Sequence, residues 1–266
     1  MKKTILTVLC AALLLGTTAI PAYAADSETV YVSIADENGD LVLPYQPVTV
    51  TDIDGDGALT INDALYAAHT TYYDGGSDGY GSAQSDWGLS LTKLWGVENG
   101  GSYGYYVNNA SAMSLADPVS AGSYVAAFVY TDTAAFSDTY CYFDAQQITD
   151  GVVGDSITLT LSAAGFDENF APISYPVAGA EITVNGAATG VYTDENGVAS
   201  VPFYTTGTYT ISAHSDSQTL VPPVCLAVIG ENAPQTADYG VWCLGGAVVM
   251  LGAAYVTARK ERSYEN

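Results

Sequence analysis

Apolar and polar positions alternate along most of this chain, a period that predicts strands far more often than helices. Val30, Val32 and Ile34 alternate with Tyr31 and Ser33, break at Glu37-Asn38-Gly39-Asp40 and resume through Leu41 to Leu43, which predicts a β-hairpin. Pro47 to Thr51 is again β-like. The period then changes: Ile61, Leu65 and Ala68 fall on one face of a helix predicted over Ile61 to Tyr73. Leu89 to Trp95, Tyr103 to Val107 and, most clearly, Tyr124 to Tyr130 read as strands. Tyr72 to Gly88 is rich in Gly, Ser and Tyr, too long for an idle loop in a compact domain, and therefore functional or flexible.

Beyond Thr149 short strand patterns recur at even spacing. I-T-L-T-L-S (Ile157 to Ser162), V-A-G-A-E-I-T-V-N-G (Val177 to Gly186) and G-T-Y-T-I-S-A-H-S (Gly207 to Ser215) are strands; Tyr192 to Phe203 is predicted as a hairpin turning at Asn196-Gly197. Such spacing predicts an Ig-like β-sandwich. The expected fold class is thus mainly β with one short helix in the first domain, divided into residues 25–146 and 147–230. The phrases V-x-G-A-x-I-T-V, T-D-E-N-G-x-A and G-T-Y-T-I-S-A resemble the Ig-like and carboxypeptidase-regulatory-like repeats of bacterial adhesins, which implies a spacer. This module has no Lys, so it cannot form a Lys–Asn isopeptide bond.

One stretch names its chemistry. Asp52 to Asp63 reads D-I-D-G-D-G-A-L-T-I-N-D, with carboxylates at positions 1, 3, 5 and 12 and Gly at 6, the spacing of an EF-hand calcium loop. A hard divalent cation needs six to eight converging oxygens. Asp52, Asp54 and Asp56 offer side-chain oxygens, Ala58 a backbone carbonyl, Thr60 a hydroxyl or a bound water, and Asp63 the closing carboxylate, so calcium (Ca2+) is the expected cofactor. The alternative is an acidic surface turn. No helix precedes the loop, and the whole resembles a single dockerin repeat, a family whose paired repeats bind a cohesin partner. Asp74 to Gly81 supplies no second repeat, lacking the ligand spacing and the closing acid.

The same domain carries a second resemblance. G-S-Y-G-Y-Y-V-N-N (Gly101 to Asn109) and L-A-D-P-V-S-A-G-S-Y-V-A-A-F-V-Y (Leu115 to Tyr130) look like the core of the transcobalamin C-terminal-like domain of bacterial surface proteins. That resemblance implies a β-grasp-like sheet with one helix and, by analogy, a cobalamin-like ligand.

The two ends place the chain outside a cell. Lys2, Lys3, the apolar run Ile5 to Leu15 and Ala22-Tyr23-Ala24 have the order of a secretory signal peptide over residues 1–24. Residues 231–266 hold Ala233-Pro234-Gln235-Thr236-Ala237, the apolar stretch Tyr239 to Val256, and the basic residues Arg259, Lys260 and Arg262. The stretch is long enough for a transmembrane helix, with the cations cytoplasmic. The order resembles a Gram-positive cell-wall sorting signal, although Ala233 and Ala237 replace the family's usual Leu and Gly. Pro234, Gln235 and Thr236 would meet a sortase, joining Thr236 to the wall. Without that step the helix remains a plasma-membrane anchor.

Charge narrows the partners. Of 29 acids only Asp238, Glu261 and Glu265 lie beyond Thr236, and of six bases only Lys93 lies between the two ends, leaving 26 acids against one base from Ala25 to Thr236. Nucleic acid and anionic lipid are excluded as partners of that segment. Its two cysteines, Cys141 and Cys225, are either an extracellular disulfide or two buried thiols. With two His and no Arg there, catalysis has no visible constellation, and the chain is read as not an enzyme. Trp87, Trp95, Tyr103 and Tyr106 are the candidate contacts for a glycan, peptide or small-molecule ligand. Strand alternation buries Tyr105 and Val107 and leaves Tyr106 outward. The other readings are a structural display scaffold and a dockerin-like interaction module.

Overall fold

The computed structural model describes residues 27–231, so the signal peptide, Pro234 to Thr236 and the predicted transmembrane stretch lie outside the described residues. Among the described residues no helix is long and apolar enough to cross a membrane. The described residues are mainly β with one α-helix.

The first module opens with β1 (Glu28–Ala35) and β2 (Leu41–Val50), an antiparallel hairpin whose turn is tied by the Asp36 carboxylate, which accepts from the N–H groups of Asn38 and Asp40. The acidic loop leads into α1 (Ile61–Tyr72), and a 3-10 turn (Gly76–Gly79) leads to the ribbon of β3 (Gly81–Ser85) and β4 (Gly88–Lys93). The Tyr-rich stretch is therefore a built turn and strand. β5 (Tyr103–Val107), β6 (Ala110–Ser111) and β7 (Tyr124–Val129) complete a sheet in the order β2-β1-β7-β5-β6, with β7 parallel to β1 at its centre. One face packs on α1. Val30, Val32 and Ile34 from β1, and Val125, Ala127 and Val129 from β7, meet Ile61, Leu65 and Ala68 in one core. This is the face the alternation marked.

The second module is a two-sheet sandwich. β8 (Thr139–Phe143), β9 (Gln147–Val152), β10 (Ser156–Phe166), β11 (Pro172–Pro176), β12 (Glu181–Val184), β13 (Ala187–Tyr192), β14 (Val198–Pro202), β15 (Gly207–His214), β16 (Leu220–Val221) and β17 (Cys225–Gly230) build it. One sheet runs β11-β10-β8-β16, with β14 also on β10; the other runs β13-β12-β15-β17-β9. Phe143, Leu161, Ile182, Ile211 and Phe203 meet between them. Cys141 and Cys225 are both buried free thiols in this core, and burial pushes the Cys225 thiol up to about 12.

Three expectations change here. β8 lies inside the predicted residues 25–146 but pairs with β10 and β16, so the chain enters the sandwich at Thr139. Tyr192 to Phe203 is not a hairpin: β13 pairs with β12 and β14 with β10, so Asp194 to Gly197 arches from one sheet to the other. Tyr106 is not left outward, because the second module covers that face of the first sheet. Its ring stacks on Tyr140 of β8, centroids 3.6 Å apart and planes 5° off parallel. Ala35, Ala126, Phe128, Tyr140 and Val221 are buried together at this seam. Alternation tells which face a side chain takes and says nothing of what comes to lie on it.

Candidate functional site

Local chemistry shapes the acidic loop. Asp52 accepts from the Gly55 N–H at 2.7 Å and the Gly57 N–H at 2.9 Å, folding the chain back over its own carboxylate. The Gly57 bond is the largest influence and lowers the Asp52 pKa; the opposing effect of lost hydration comes next, and the Gly55 bond adds to the lowering. At the far end Thr60 caps α1: its hydroxyl accepts from the Asp63 N–H, and Asp63 Oδ2 accepts from the Thr60 N–H at 2.8 Å and hydroxyl at 2.7 Å. Asp63 Oδ1 reaches back to accept from the Ile53 N–H at 3.1 Å, so one fully buried carboxylate joins both ends of the loop.

Outside contacts hold the exit rigid. Leu59 C=O accepts from Val119, while Ile61 and Asn62 donate to the carbonyls of Asp117 and Leu115.

The structure brings together three of the predicted ligands. Asp52, Asp54 and Asp63 each present a carboxylate oxygen within 4.8 Å of the others. Partial burial, then the neighbouring Asp56 carboxylate, raises the Asp54 pKa, as expected where anions crowd. An all-oxygen anionic set of this kind suits a hard cation. Asp56, beside Asp54, is not one of the three and accepts from the Ala58 N–H at 2.8 Å. Ala58 is exposed, and the Thr60 hydroxyl is engaged with Asp63 as a cap. The residues thus fit calcium through Asp52, Asp54 and Asp63, with further oxygens to come from Asp56, Ala58 or water.

Asn62, which the loop pattern passes over, links this centre to its surroundings. Its Nδ2 donates to Asp54 Oδ2 at 3.4 Å, while its Oδ1 accepts from the Tyr80 hydroxyl at 2.6 Å and from Ser82 at 2.9 Å. Ser82 belongs to β3, so the loop is wired to the β3–β4 ribbon. Only the position of Asn62 directly before the closing Asp63 could have marked it.

The four aromatic candidates part company. Trp87, at the β3–β4 turn, is 82% exposed. Trp95 is half-buried, donates its backbone N–H to His69 and packs edge-on against Tyr73. The Tyr103 hydroxyl is bonded to the carbonyls of Thr92 and Val97, and Tyr106 stacks in the seam. Trp87 alone of the four is exposed.

His69 is fully buried under Tyr73, Tyr80 and Trp95. Its Nε2 accepts from the Trp95 N–H at 2.9 Å, so the proton sits on Nδ1, which donates to Leu65 C=O at 2.6 Å. Burial, only partly opposed by the Leu65 bond, pushes its pKa down to about 4. The unfolded chain takes up this proton near pH 6.5 and the folded one does not, so stability is full above pH 6.5 and falls towards pH 4. The expected loss is up to about 3 kcal/mol. Urea unfolding from pH 7 to 4.5, with NMR titration of the ring, checks it; a ring titrating near 6.5 contradicts it.

No protein-family model matches the chain, and no curated protein matches it. Solved structures with local likeness include a chimeric titin Z1Z2-Z1Z2 tandem, 15% identical over 49% of this chain and 84% of that one, TM-score 0.23. Another is the N-terminal four Ig domains of Dscam1 isoform 4.44, also 15% identical, over 77% of this chain and 46% of that one, TM-score 0.23. A third is the Bacteroides ovatus mixed-linkage glucan utilization locus protein SGBP-B in complex with a mixed-linkage heptasaccharide, 11% identical over 57% of this chain and 36% of that one, TM-score 0.19. This chain spans less than half the length of the latter two. At such TM-scores these likenesses carry no argument, and function has to be argued from this chain's own residues.

Proposed function

We propose that this chain is a surface-displayed, non-catalytic binding protein whose first module is held together by calcium. The observation that carries the reading is the convergence of Asp52, Asp54 and Asp63 at the start of α1, tied through Asn62 to the ribbon that bears Trp87. Calcium would neutralise the three carboxylates and brace the loop between β2 and α1. Trp87 is the exposed contact for a glycan or peptide ligand. The strand order β2-β1-β7-β5, with β7 parallel to β1 and one covering helix, supports a β-grasp-like module; the sandwich, with β9 parallel to β17, supports an Ig-like one. Secretion through residues 1–24, and anchoring through Thr236 by a sortase or through a transmembrane helix, belong to the same proposal. The second reading, a structural display scaffold, is favoured by the internal engagement of Trp95, Tyr103 and Tyr106.

The test is calorimetric titration with calcium, with thermal melts of parent and Asp52→Ala/Asp56→Ala. An Asp at the closing position reaches less far than Glu, which points to a Kd of roughly 10⁻⁴ to 10⁻³ M. At about 10 mM calcium the parent then gains roughly 1.5 to 3 kcal/mol, while the double variant gains almost none. Equal calcium-induced shifts in the two proteins would remove the metal from the account. Loss of glycan-induced fluorescence change in Trp87→Ala would separate binder from scaffold.

A further inference from the structure

The second module carries a surface of its own at the turn between β10 and β11, Asp167-Glu168-Asn169-Phe170. Two other turns among the described residues are built the same way. In each the aspartate accepts from the N–H groups two and four residues on: Asp36 from Asn38 and Asp40, Asp194 from Asn196 and Val198, Asp167 from Asn169 and Ala171. The fourth place is Gly39 at φ 78° in the first turn and Gly197 at φ 77° in the second, but Phe170 at φ 60° in the third. A bulky residue is unfavourable in that region, and glycine makes the same turn twice here without it. Nor does Phe170 fill a core, since it is 85% exposed.

Its neighbours share that exposure. Phe166, Ile173 and Tyr175 are exposed large hydrophobics on the same hairpin, with Ile173 opposite Gly165 and Phe166 opposite Pro172. Tyr175 and Ile173 lie over the bare backbone of Gly165, where a Cβ would meet Tyr175 at 3.0 Å. Strand addition to β11 is blocked. Val177 donates inward to Leu161, so Pro172, Ser174 and Pro176 face outward, and two of those three lack an N–H. The recognition element is therefore the side-chain knob itself.

Charge selects what receives it. Asp167 and Glu168 flank the knob, and the chain from Ala25 to Thr236 holds 26 acids and a single base, Lys93. A second copy or an anionic lipid surface would be repelled. We propose that this hairpin end docks into an apolar pocket, rimmed by Lys or Arg, on a separate protein, with Phe170 as the anchor and the two acids steering the approach. The backbone strain at Phe170 is the stability given up for that contact.

The experiment selects a displayed library of random cyclic peptides on the purified chain, then compares parent with Phe170→Gly. The expected result is enrichment of peptides mixing Lys or Arg with apolar residues, binding at least tenfold weaker to Phe170→Gly and weaker in high salt. Phe170→Gly should also melt a few degrees higher, so loss of binding cannot be loss of fold. The proposal is overturned by acidic or absent enrichment, by undiminished binding to Phe170→Gly, or by a lower melting temperature of that variant. Self-association that Phe170→Gly abolishes, seen by sedimentation, overturns it in favour of a second copy as occupant.

Discussion

Asp63→Ala should lower the melting temperature by roughly 8 to 16 °C in chelator, from a loss of about 4 kcal/mol, and by more in calcium, because the variant also forfeits most of what the parent gains from the metal. The reason is that Asp63 has a role before any cation arrives. Its carboxylate is fully buried and accepts from the Thr60 N–H, the Thr60 hydroxyl and the Ile53 N–H. Alanine leaves two of those donors buried without an acceptor, at about 1 to 3 kcal/mol each, and removes half of the capping box of the only α-helix among the described residues. Asp63→Asn separates the two roles. Its amide keeps an acceptor oxygen for Thr60, so in chelator it should lose only about 1 kcal/mol, yet without the charge it should gain far less from calcium than the parent does. Melting curves of the three proteins, with and without calcium, decide the matter. If Asp63→Ala matches the parent in chelator, the closing acid is a metal ligand alone and the capping argument is wrong.

Asp63 also shows where sequence reading works and where it stops. The closing acid and the α1 face were legible because each depends on neighbours within a few residues, where spacing determines geometry, whereas Thr60, expected as a ligand, serves as the cap of α1. The same locality made the β1–β2 hairpin and β7 readable. Contacts between distant segments left no such trace. Tyr106 sits on a strand whose alternation correctly separates its faces, but its partner Tyr140 comes from the next module. Trp95 and Tyr103 look like surface aromatics in sequence and are tied up by His69, Thr92 and Val97. Asn62 reaches Tyr80 and Ser82 only because β3 folds back beside the loop. The convergence of Asp52, Asp54 and Asp63 was legible, whereas the turn of Asp56 towards Ala58 was not.

The arch at Asp194 to Gly197 is the second place where a local reading was sound and its long-range meaning was not, and it yields a sharp test. In sequence Asn196-Gly197 reads as a hairpin turn, but Gly197 sits where β10 changes partners, between β14 beside Ser156–Thr160 and β11 beside Ser162–Phe166. Gly197 accepts from the Leu161 N–H at 2.8 Å, and Leu161 C=O accepts from Val177 at 3.0 Å. A Cβ on Gly197 would stand 2.3 Å from that Leu161 oxygen, with φ at 77°. The obstacle is backbone at the centre of the sandwich, so it cannot swing aside. Gly197→Ala should therefore cost about 4 kcal/mol, roughly 1 from the left-handed backbone and the rest from displacing β10. Gly186→Ala supplies the control: φ is 79° there, in the β12–β13 turn, but nothing lies within 4 Å of the added carbon. It should lose only about 1 kcal/mol. Urea unfolding of both variants measures the difference, and equal losses would mean that β10 yields at Leu161 and that the junction of the three strands is softer than its hydrogen bonds imply.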